Sequence, residues 1–200
     1  MTRRANVPTR RVLQIALLTG ILSVPALSNV IFDNIEGPCN CSLDGPGLVG
    51  AEFTPSATYR LTDVAAFMAN YTGSSSVIDF FIYSNGAGVP VTELTALTGT
   101  IAYPLQAQVD SGAPSVPLTL VGGTSYWFVI DLTSSDLGWE VGSTEPPYAY
   151  NIGAGWVANG PQALAFEVDG TPAGIPEPGA LGLAGSGIVL AILARRRRVV

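Results

Sequence analysis

The central part of the chain alternates between short strand-forming runs and turn-forming residues. The runs are dense in β-branched and aromatic side chains, which favour strands, and they span Tyr59–Met68, Ser76–Tyr83, Val91–Thr98, Leu118–Val121, Ser125–Leu132 and Ala163–Val168. Glycine-, asparagine- or proline-containing breaks separate them, at Thr72–Ser75, Asn85–Gly88, Gly122–Gly123 and Asn159–Pro161. Because no helical periodicity is sustained here, the sequence predicts an all-β domain, a β-sandwich of the jelly-roll or immunoglobulin-like kind.

The charges are divided sharply between the ends of the chain and its middle. Residues 29–174 contain fourteen acidic residues and a single basic residue, Arg60, so this body carries a formal net charge of −13. Binding of nucleic acid requires lysine and arginine to replace condensed counterions, so the sequence predicts no nucleic-acid partner. Direct adsorption of the body to anionic lipid is also disfavoured.

The first 28 residues have the three parts of a secretory signal peptide. Arginines up to Arg11 precede an apolar run from Val12 to Val24, and small residues follow it, ending at Ser28. This arrangement predicts export and cleavage by signal peptidase between Ser28 and Asn29. The alternatives are a retained membrane anchor and a first core helix.

A second apolar segment lies near the end of the chain, from Gly179 to Ala194, and contains no charge. As a helix its sixteen residues would reach ~24 Å, which is shorter than the ~30 Å hydrocarbon core of a bilayer. Its four glycines weaken it further as a permanent span. A positive cluster follows, which consists of Arg195, Arg196, Arg197 and Arg198. Positive residues next to a membrane-spanning segment stay on the cytoplasmic side. The pattern predicts a transient membrane contact with the arginines as a retention element.

The order of these parts resembles a sorting signal. Pro176, Glu177 and Pro178 precede the apolar segment, and the arginine cluster follows it. This order resembles the PEP-CTERM signal of exported proteins in Gram-negative bacteria, so residues 175–200 are assigned to it. The resemblance implies processing by an exosortase, a membrane-embedded cysteine protease, and delivery to the cell surface or the extracellular matrix. The alternative is an ordinary tail anchor in which the Pro-Glu-Pro sequence arises by chance.

A second resemblance covers most of the body. Leu118 to Phe128 contains an apolar strand, a glycine turn and Thr-Ser-Tyr-Trp, and resembles a strand pair in the β-sandwich ectodomains called choice-of-anchor domains. The stretches Ala51–Thr54, Tyr59–Val64 and Ala165–Gly170 fit the same layout. Those families have no established activity, so this resemblance implies an architecture and no chemistry.

The residues that usually carry catalysis or bind metals are scarce. The chain has no histidine, which removes the usual general base and the commonest metal ligand. After export, Cys39 and Cys41 would form a tight disulfide, bridge to another molecule, or stay reduced or metal-bound. The sequence predicts no cofactor and no metal site, although Asp33, Glu36 and Asp44 around the cysteines could contribute to a calcium site.

Aromatic residues are concentrated in a loop-like stretch between residues 139 and 156. Trp139, Tyr148, Tyr150 and Trp156 could form a platform on which sugar rings stack, or could close one end of the sandwich. Glu140 and Glu145 lie beside them, and a pair of acids is what a glycosidase requires. The sequence favours a non-catalytic surface or matrix protein; a carbohydrate- or polymer-binding module is the alternative, and a secreted hydrolase is the third reading.

Overall fold

The structure is a computed structural model, and it describes residues 28–35, 42–44, 47–71, 73–132 and 137–174, with the backbone alone for residues 42–44. The predicted signal peptide up to residue 27, both cysteines and the sorting signal at 175–200 lie outside the described residues.

The described part of the chain is all-β and contains no helix, as the sequence predicts. No helical segment that could cross a bilayer therefore occurs in it. The strands are β1 (Asn29–Asp33), β2 (Ser42–Asp44), β3 (Leu48–Phe53), β4 (Tyr59–Asn70), β5 (Ser76–Gly86), β6 (Val89–Ile101), β7 (Leu105–Asp110), β8 (Thr119–Leu120), β9 (Tyr126–Asp131), β10 (Leu137–Glu140), β11 (Pro147–Asn151), β12 (Val157–Pro161) and β13 (Phe166–Pro172).

These strands form two antiparallel sheets. The seven-stranded sheet has the order β1-β13-β4-β10-β2, with β7 and β8 paired to β4 as well. The six-stranded sheet has the order β12-β11-β3-β9-β5-β6. The long strand β4 organises the first sheet because four other strands pair with it.

The two sheets enclose a shared apolar core. Strand β5 shows the expected alternation, since Ile78, Phe80 and Ile82 are buried while Val77 and the other intervening residues are more exposed. Rings from both sheets meet in the centre: the centroid of Phe128 on β9 lies 5.3 Å from Trp139 on β10 and 5.2 Å from Phe166 on β13. The fold is therefore sandwich-like, with one face of each sheet turned inward.

Both ends of the body lie at one end of the seven-stranded sheet. Strand β1 begins at Asn29, which is paired with Gly170 near the end of β13. Beyond β13, the backbone N–H of Ala173 donates a hydrogen bond to the carbonyl oxygen of Thr58. Because these two strands are neighbours, the described body begins and ends at the same end of the sandwich.

The structure corrects three local predictions. Asn159 to Pro161, predicted as a break, belongs to strand β12. The stretch around Trp139, predicted as a loop, contains strands β10 and β11. The apolar strand and the Thr-Ser-Tyr-Trp strand, which the sequence predicts as a strand pair, lie in different sheets, since β8 pairs with β4 and β9 pairs with β3 and β5.

Candidate functional site

The four aromatic residues predicted to form a sugar platform do not come together. Trp139 is fully buried, and its indole N–H donates a 2.8 Å hydrogen bond to the carbonyl oxygen of Ala165. It packs against Phe128 and Phe166 in the core. A side chain in this position cannot stack on a ligand, so its inclusion in the platform is wrong.

The other three aromatic residues are split between the two faces of the six-stranded sheet. Tyr148 and Tyr150 alternate with Ala149 on β11 and pack toward the core, with their ring centroids 6.1 Å apart. Trp156 lies on the opposite, outer face, where its ring centroid is 5.9 Å from that of Tyr83. The three rings therefore present no common surface.

Trp156 instead belongs to an aromatic face, which consists of Phe81, Tyr83, Trp127 and Trp156 on the outer side of the six-stranded sheet. Trp127 is fully buried at its centre, and the other three rings are half-buried. Tyr83 links the group, because its ring meets both Phe81 and Trp156 edge to face.

The local sequence leaves room for the ring of Trp127 on this face. Gly50 of β3 lies beneath it, and a Cβ added there would come within 3.4 Å of the indole ring. On the neighbouring strand, the side-chain oxygen of Asn85 accepts a 3.2 Å hydrogen bond from the indole N–H. The amide nitrogen of Asn85 in turn donates a 2.8 Å bond to a carboxylate oxygen of Glu52. A chain of polar groups thus borders the aromatic rings.

A second acid of this face, Glu93, interacts with Tyr83. Burial raises the pKa of its hydroxyl, and the charge of Glu93 together with a hydrogen bond to Glu93 raises it further. The aromatic face therefore combines half-buried rings with an amide and two carboxyl groups at its margin. Such a surface can stack against a flat, weakly polar ligand and hydrogen-bond to its hydroxyl groups.

Sequence reasoning missed Tyr83, Asn85 and Glu52, although one signal for this face was present. Residues 126–130 are apolar without alternation, a pattern that indicates a strand covered on both faces. Tyr126, Phe128 and Ile130 face the core, while Trp127 and Val129 face the other way.

The two acids considered for hydrolysis are in different environments. Glu140 is fully buried on β10, and one of its carboxylate oxygens accepts a 2.9 Å hydrogen bond from the side-chain amide of Gln106. Glu145 lies exposed in the loop that precedes β11. The structure therefore does not present them as a pair on one open surface.

Five other acids form an acidic face on the seven-stranded sheet, carried by four neighbouring strands. Asp33 is paired in register with Glu167, and Asp63 with Asp169. Asp110 on β7 completes the group and lies opposite Ala65 of β4. Residues that are far apart in sequence are thus brought together by strand pairing.

Burial and the neighbouring negative charges raise the pKa of two carboxyl groups on this face. Burial, followed by the charges of Asp169 and Asp33 and a hydrogen bond with Asp169, raises the pKa of Glu167 to about 7. Burial raises the pKa of Asp63 to about 6, against the opposing effect of the hydrogen bond donated by the Ser111 hydroxyl at 2.8 Å. Near neutral pH these carboxyl groups are therefore partly protonated.

Among the described residues, no cluster of three or more potential ligands is arranged to hold a metal ion. Of the three candidate calcium ligands, Asp33 takes part in the acidic face, where one of its oxygens also accepts a 2.8 Å hydrogen bond from the backbone N–H of Ile35. Glu36 and the side chain of Asp44 lie outside the described part of the chain.

The segment that follows the body matches a known family signature. Residues 174–198 match the PEP-CTERM protein-sorting motif. The match indicates an exported protein that is sorted through its C-terminus, and it implies processing by an exosortase. No match to a curated protein was found.

Proposed function

We propose that this chain is an exported, non-catalytic protein, whose β-sandwich body is delivered to the cell surface or the extracellular matrix after C-terminal processing. The observation that carries the proposal is the position of the sorting motif. It begins at Gly174, immediately after β13, which ends at Pro172. Only Ala173 lies between the last described strand and the start of the motif.

The start of the body supports removal of an N-terminal signal peptide. Strand β1 begins at Asn29, directly after the predicted cleavage site, and the one side-chain contact of the described residues that cleavage would remove is the exposed hydrogen bond between the hydroxyls of Ser28 and Thr62. Cleavage between Ser28 and Asn29 therefore separates the apolar segment from the body without removing a strand residue. Signal peptidase and exosortase would then act at opposite ends of the sequence.

The apolar segment at 179–194 is proposed to reside only briefly in the membrane, since it is short and rich in glycine. The resemblance of the body to choice-of-anchor ectodomains supports a role without catalysis. The burial of Glu140 agrees with that role, because it leaves Glu145 without its proposed partner.

The intact mass of the mature protein tests sorting directly. We expect a mass that lacks both the N-terminal segment up to Ser28 and the C-terminal segment, from a cleavage near Pro176–Pro178. Glu177→Gln, and separately deletion of Arg195–Arg198, should leave a heavier protein that stays with the membrane fraction. Glu145→Gln is the matched control, as it removes one exposed acid outside the motif. An unchanged mass and location in both sorting variants would refute the assignment.

A second candidate function, binding of a neutral carbohydrate polymer, is favoured by the aromatic face. Tyr83 and Trp156 meet there beside Asn85 and Glu52, which supply an amide and a carboxylate for ligand hydroxyls. Binding to a panel of polysaccharides should weaken about tenfold or more in Trp156→Ala and Tyr83→Ala, since each removes a contact ring. Tyr150→Ala is the control, because that ring packs toward the core. Retained binding in both face variants, or no binding to any polymer, would exclude this candidate.

A further inference from the structure

Arg60 is the single basic residue of the body, and its position is unusual. It lies exposed on β4, opposite Thr171 of β13 on one side and Thr119 of β8 on the other. Within the described residues its guanidinium group forms no ion pair and no hydrogen bond. None of the acids whose side chains the structure describes pairs with this guanidinium group, which is therefore available to an external anion.

A cleft lies directly beside this side chain. Strands β7 and β8 pair with β4, but β7 ends at Asp110 and β8 begins at Thr119. The connection between them leaves a cavity of about 360 Å³, which is lined by Arg60, Leu61, Thr62, Ala113, Pro114 and Pro117. The lining contains no acidic side chain, and a cavity of this volume can admit a small ligand group.

The charge of the surrounding segments differs from that of the rest of the body. We call the segments 53–62, 111–125 and 170–174 the exit end; apart from Arg60 they contain no charged residue. They adjoin one another: the backbone N–H of Gly123 bonds to the carbonyl oxygen of Pro55, and that of Ala173 to Thr58. Asp63, Asp110 and Asp169 of the acidic face lie immediately beyond the borders of these segments.

The exit end is also where the chain continues toward the apolar segment. Four residues lie between Gly174 and Gly179, so even a fully extended chain covers the five steps between them in only about 17 Å. When the apolar segment is in a bilayer, this short connection holds the exit end close to the lipid headgroups. An N-terminal segment that has not been cleaved leaves from the same end, because Asn29 is paired with Gly170.

We propose that the exit end docks on the membrane surface while the C-terminal segment is inserted, with Arg60 and its cleft binding the phosphate of an anionic lipid. Guanidinium groups bind phosphate oxygens in a bidentate fashion. The free body would be repelled by an anionic surface, but the tether supplies a high effective concentration. The same repulsion acts on the acids outside the exit end, including the adjoining acidic face, and favours the orientation in which Arg60 rather than those acids meets the lipid. This inference rests on the proposed membrane insertion of the C-terminal segment.

The experiment compares two positions at opposite ends of the sandwich. Ser56 at the exit end and Ser75 before β5 are both exposed, and the twelve residues of β4 between these ends correspond to about 40 Å. Each serine is replaced in turn by a fluorescent non-natural amino acid in the full chain. The chain is inserted into vesicles of phosphatidylcholine, with or without phosphatidylglycerol, that contain headgroup-labelled quencher lipids. We expect quenching at position 56 and little at position 75, with the contrast larger when phosphatidylglycerol is present.

Variants of the exit end test the role of charge. Arg60→Gln should lower the ratio of docked to undocked protein about fivefold, the effect of one arginine at an anionic surface, and Arg60→Lys should restore most of it. Thr119→Glu should also weaken docking, because it places a carboxylate opposite Arg60. Thr100→Glu is the matched control, since Thr100 is also an exposed strand residue but lies toward the far end, opposite Val77.

Flotation of the vesicles separates this inference from the function on which it rests. If the protein floats with the vesicles but positions 56 and 75 are quenched equally, docking is refuted and membrane insertion stands. Docking is likewise refuted if Arg60→Gln and Thr119→Glu change nothing, or if Thr100→Glu has the same effect as Thr119→Glu. If the protein does not float, the tether is absent and both ideas fail.

Discussion

Asn34 and Phe166 are joined by two hydrogen bonds that continue the pairing of β1 with β13 beyond the end of β1. The side-chain oxygen of Asn34 accepts a 2.8 Å bond from the backbone N–H of Phe166, and the backbone N–H of Asn34 donates a 3.2 Å bond to the Phe166 carbonyl. The amide nitrogen of Asn34 also donates to the carbonyl oxygen of Leu164 at 2.8 Å. The buried side chain of Asn34 therefore joins the end of β1 to the residues at and just before the start of β13.

Replacing this side chain should destabilise the body strongly. Asn34→Ala leaves the buried N–H of Phe166 and the carbonyl of Leu164 without their partner, at a cost of about 3 kcal/mol. Urea unfolding of the isolated body measures the change. Asn159→Ala is the control on the exposed strand β12 and should change stability by less than about 0.5 kcal/mol. Equal effects of the two substitutions would contradict the role assigned to Asn34.

Gln106 and Gln108 on β7 offer a matched comparison of a buried and an exposed hydrogen bond. Gln106 donates to the buried carboxyl group of Glu140 at 2.9 Å, and Gln108 donates to the exposed Asp110 at 3.0 Å. Gln106→Ala should lower the free energy of unfolding by about 2 kcal/mol, because the buried carboxyl group loses a donor. Gln108→Ala should have little effect because water replaces the lost donor. Thermal unfolding of both variants checks the difference, and similar losses would argue against a structural role for the Gln106–Glu140 bond.

The turn between β8 and β9 depends on the absence of a side chain at Gly122. A Cβ there would lie 2.8 Å from both the Cα and the carbonyl carbon of Ala57. Gly122→Ala should therefore force two backbone segments apart and lower stability by about 1–3 kcal/mol. Gly112→Ala is the control, because a Cβ at Gly112 would meet no atom within 4 Å. Denaturant melts should show the loss in the first variant alone.

The acidic face should make the folded body less stable as the pH rises. The pKa of Asp63 is raised from 3.8 to about 6 and that of Glu167 from 4.5 to about 7, so between about pH 4 and 7 the folded state holds protons that the unfolded state has lost. Because the folded state binds more protons, the free energy of unfolding falls across this window. Urea midpoints measured from pH 5 to pH 8 should therefore decrease.

A single substitution identifies the source of that dependence. Glu167→Gln removes the charge that faces Asp33 on β1, Asp110 on β7 and Asp169 on its own strand. It should raise stability at pH 8 and flatten the pH dependence. Glu145→Gln, which removes one acid outside this face, should leave the dependence in place. A steeper fall in Glu167→Gln, or an equal flattening in both variants, would contradict the explanation.

The strand predictions succeeded where the pattern was local. The runs that start at Tyr59, Ser76 and Ser125 are dense in β-branched and aromatic residues, and they correspond to β4, β5 and β9. Strand β12 was missed because Val157–Pro161 contains glycine and proline and is exposed at every position. An edge strand without a buried face has no hydrophobic alternation that a sequence could show.

The candidate site was predictable only in part, for a related reason. The high density of aromatic residues in the stretch 139–156 points to Trp156 as a candidate. Its partner Tyr83, however, lies 73 positions earlier, on strand β5. Trp139, from the same short stretch, is instead buried between the sheets. Which face of a sheet a residue occupies depends on strand register, and a shift of one position reverses it.

The amino-acid sequence by itself determined the all-β fold class and the sorting motif at residues 174–198. A strand-forming run acts through its own backbone preferences, and a sorting motif is read along the chain, so neither depends on distant partners. Tertiary structure alone decided that Trp156 meets Tyr83, that five acids share one face, and that the first and last described strands come together beside Arg60. Those relationships arise from pairing between strands that are remote in sequence, and the pairing sets both the register and the side of the sheet on which each residue lies.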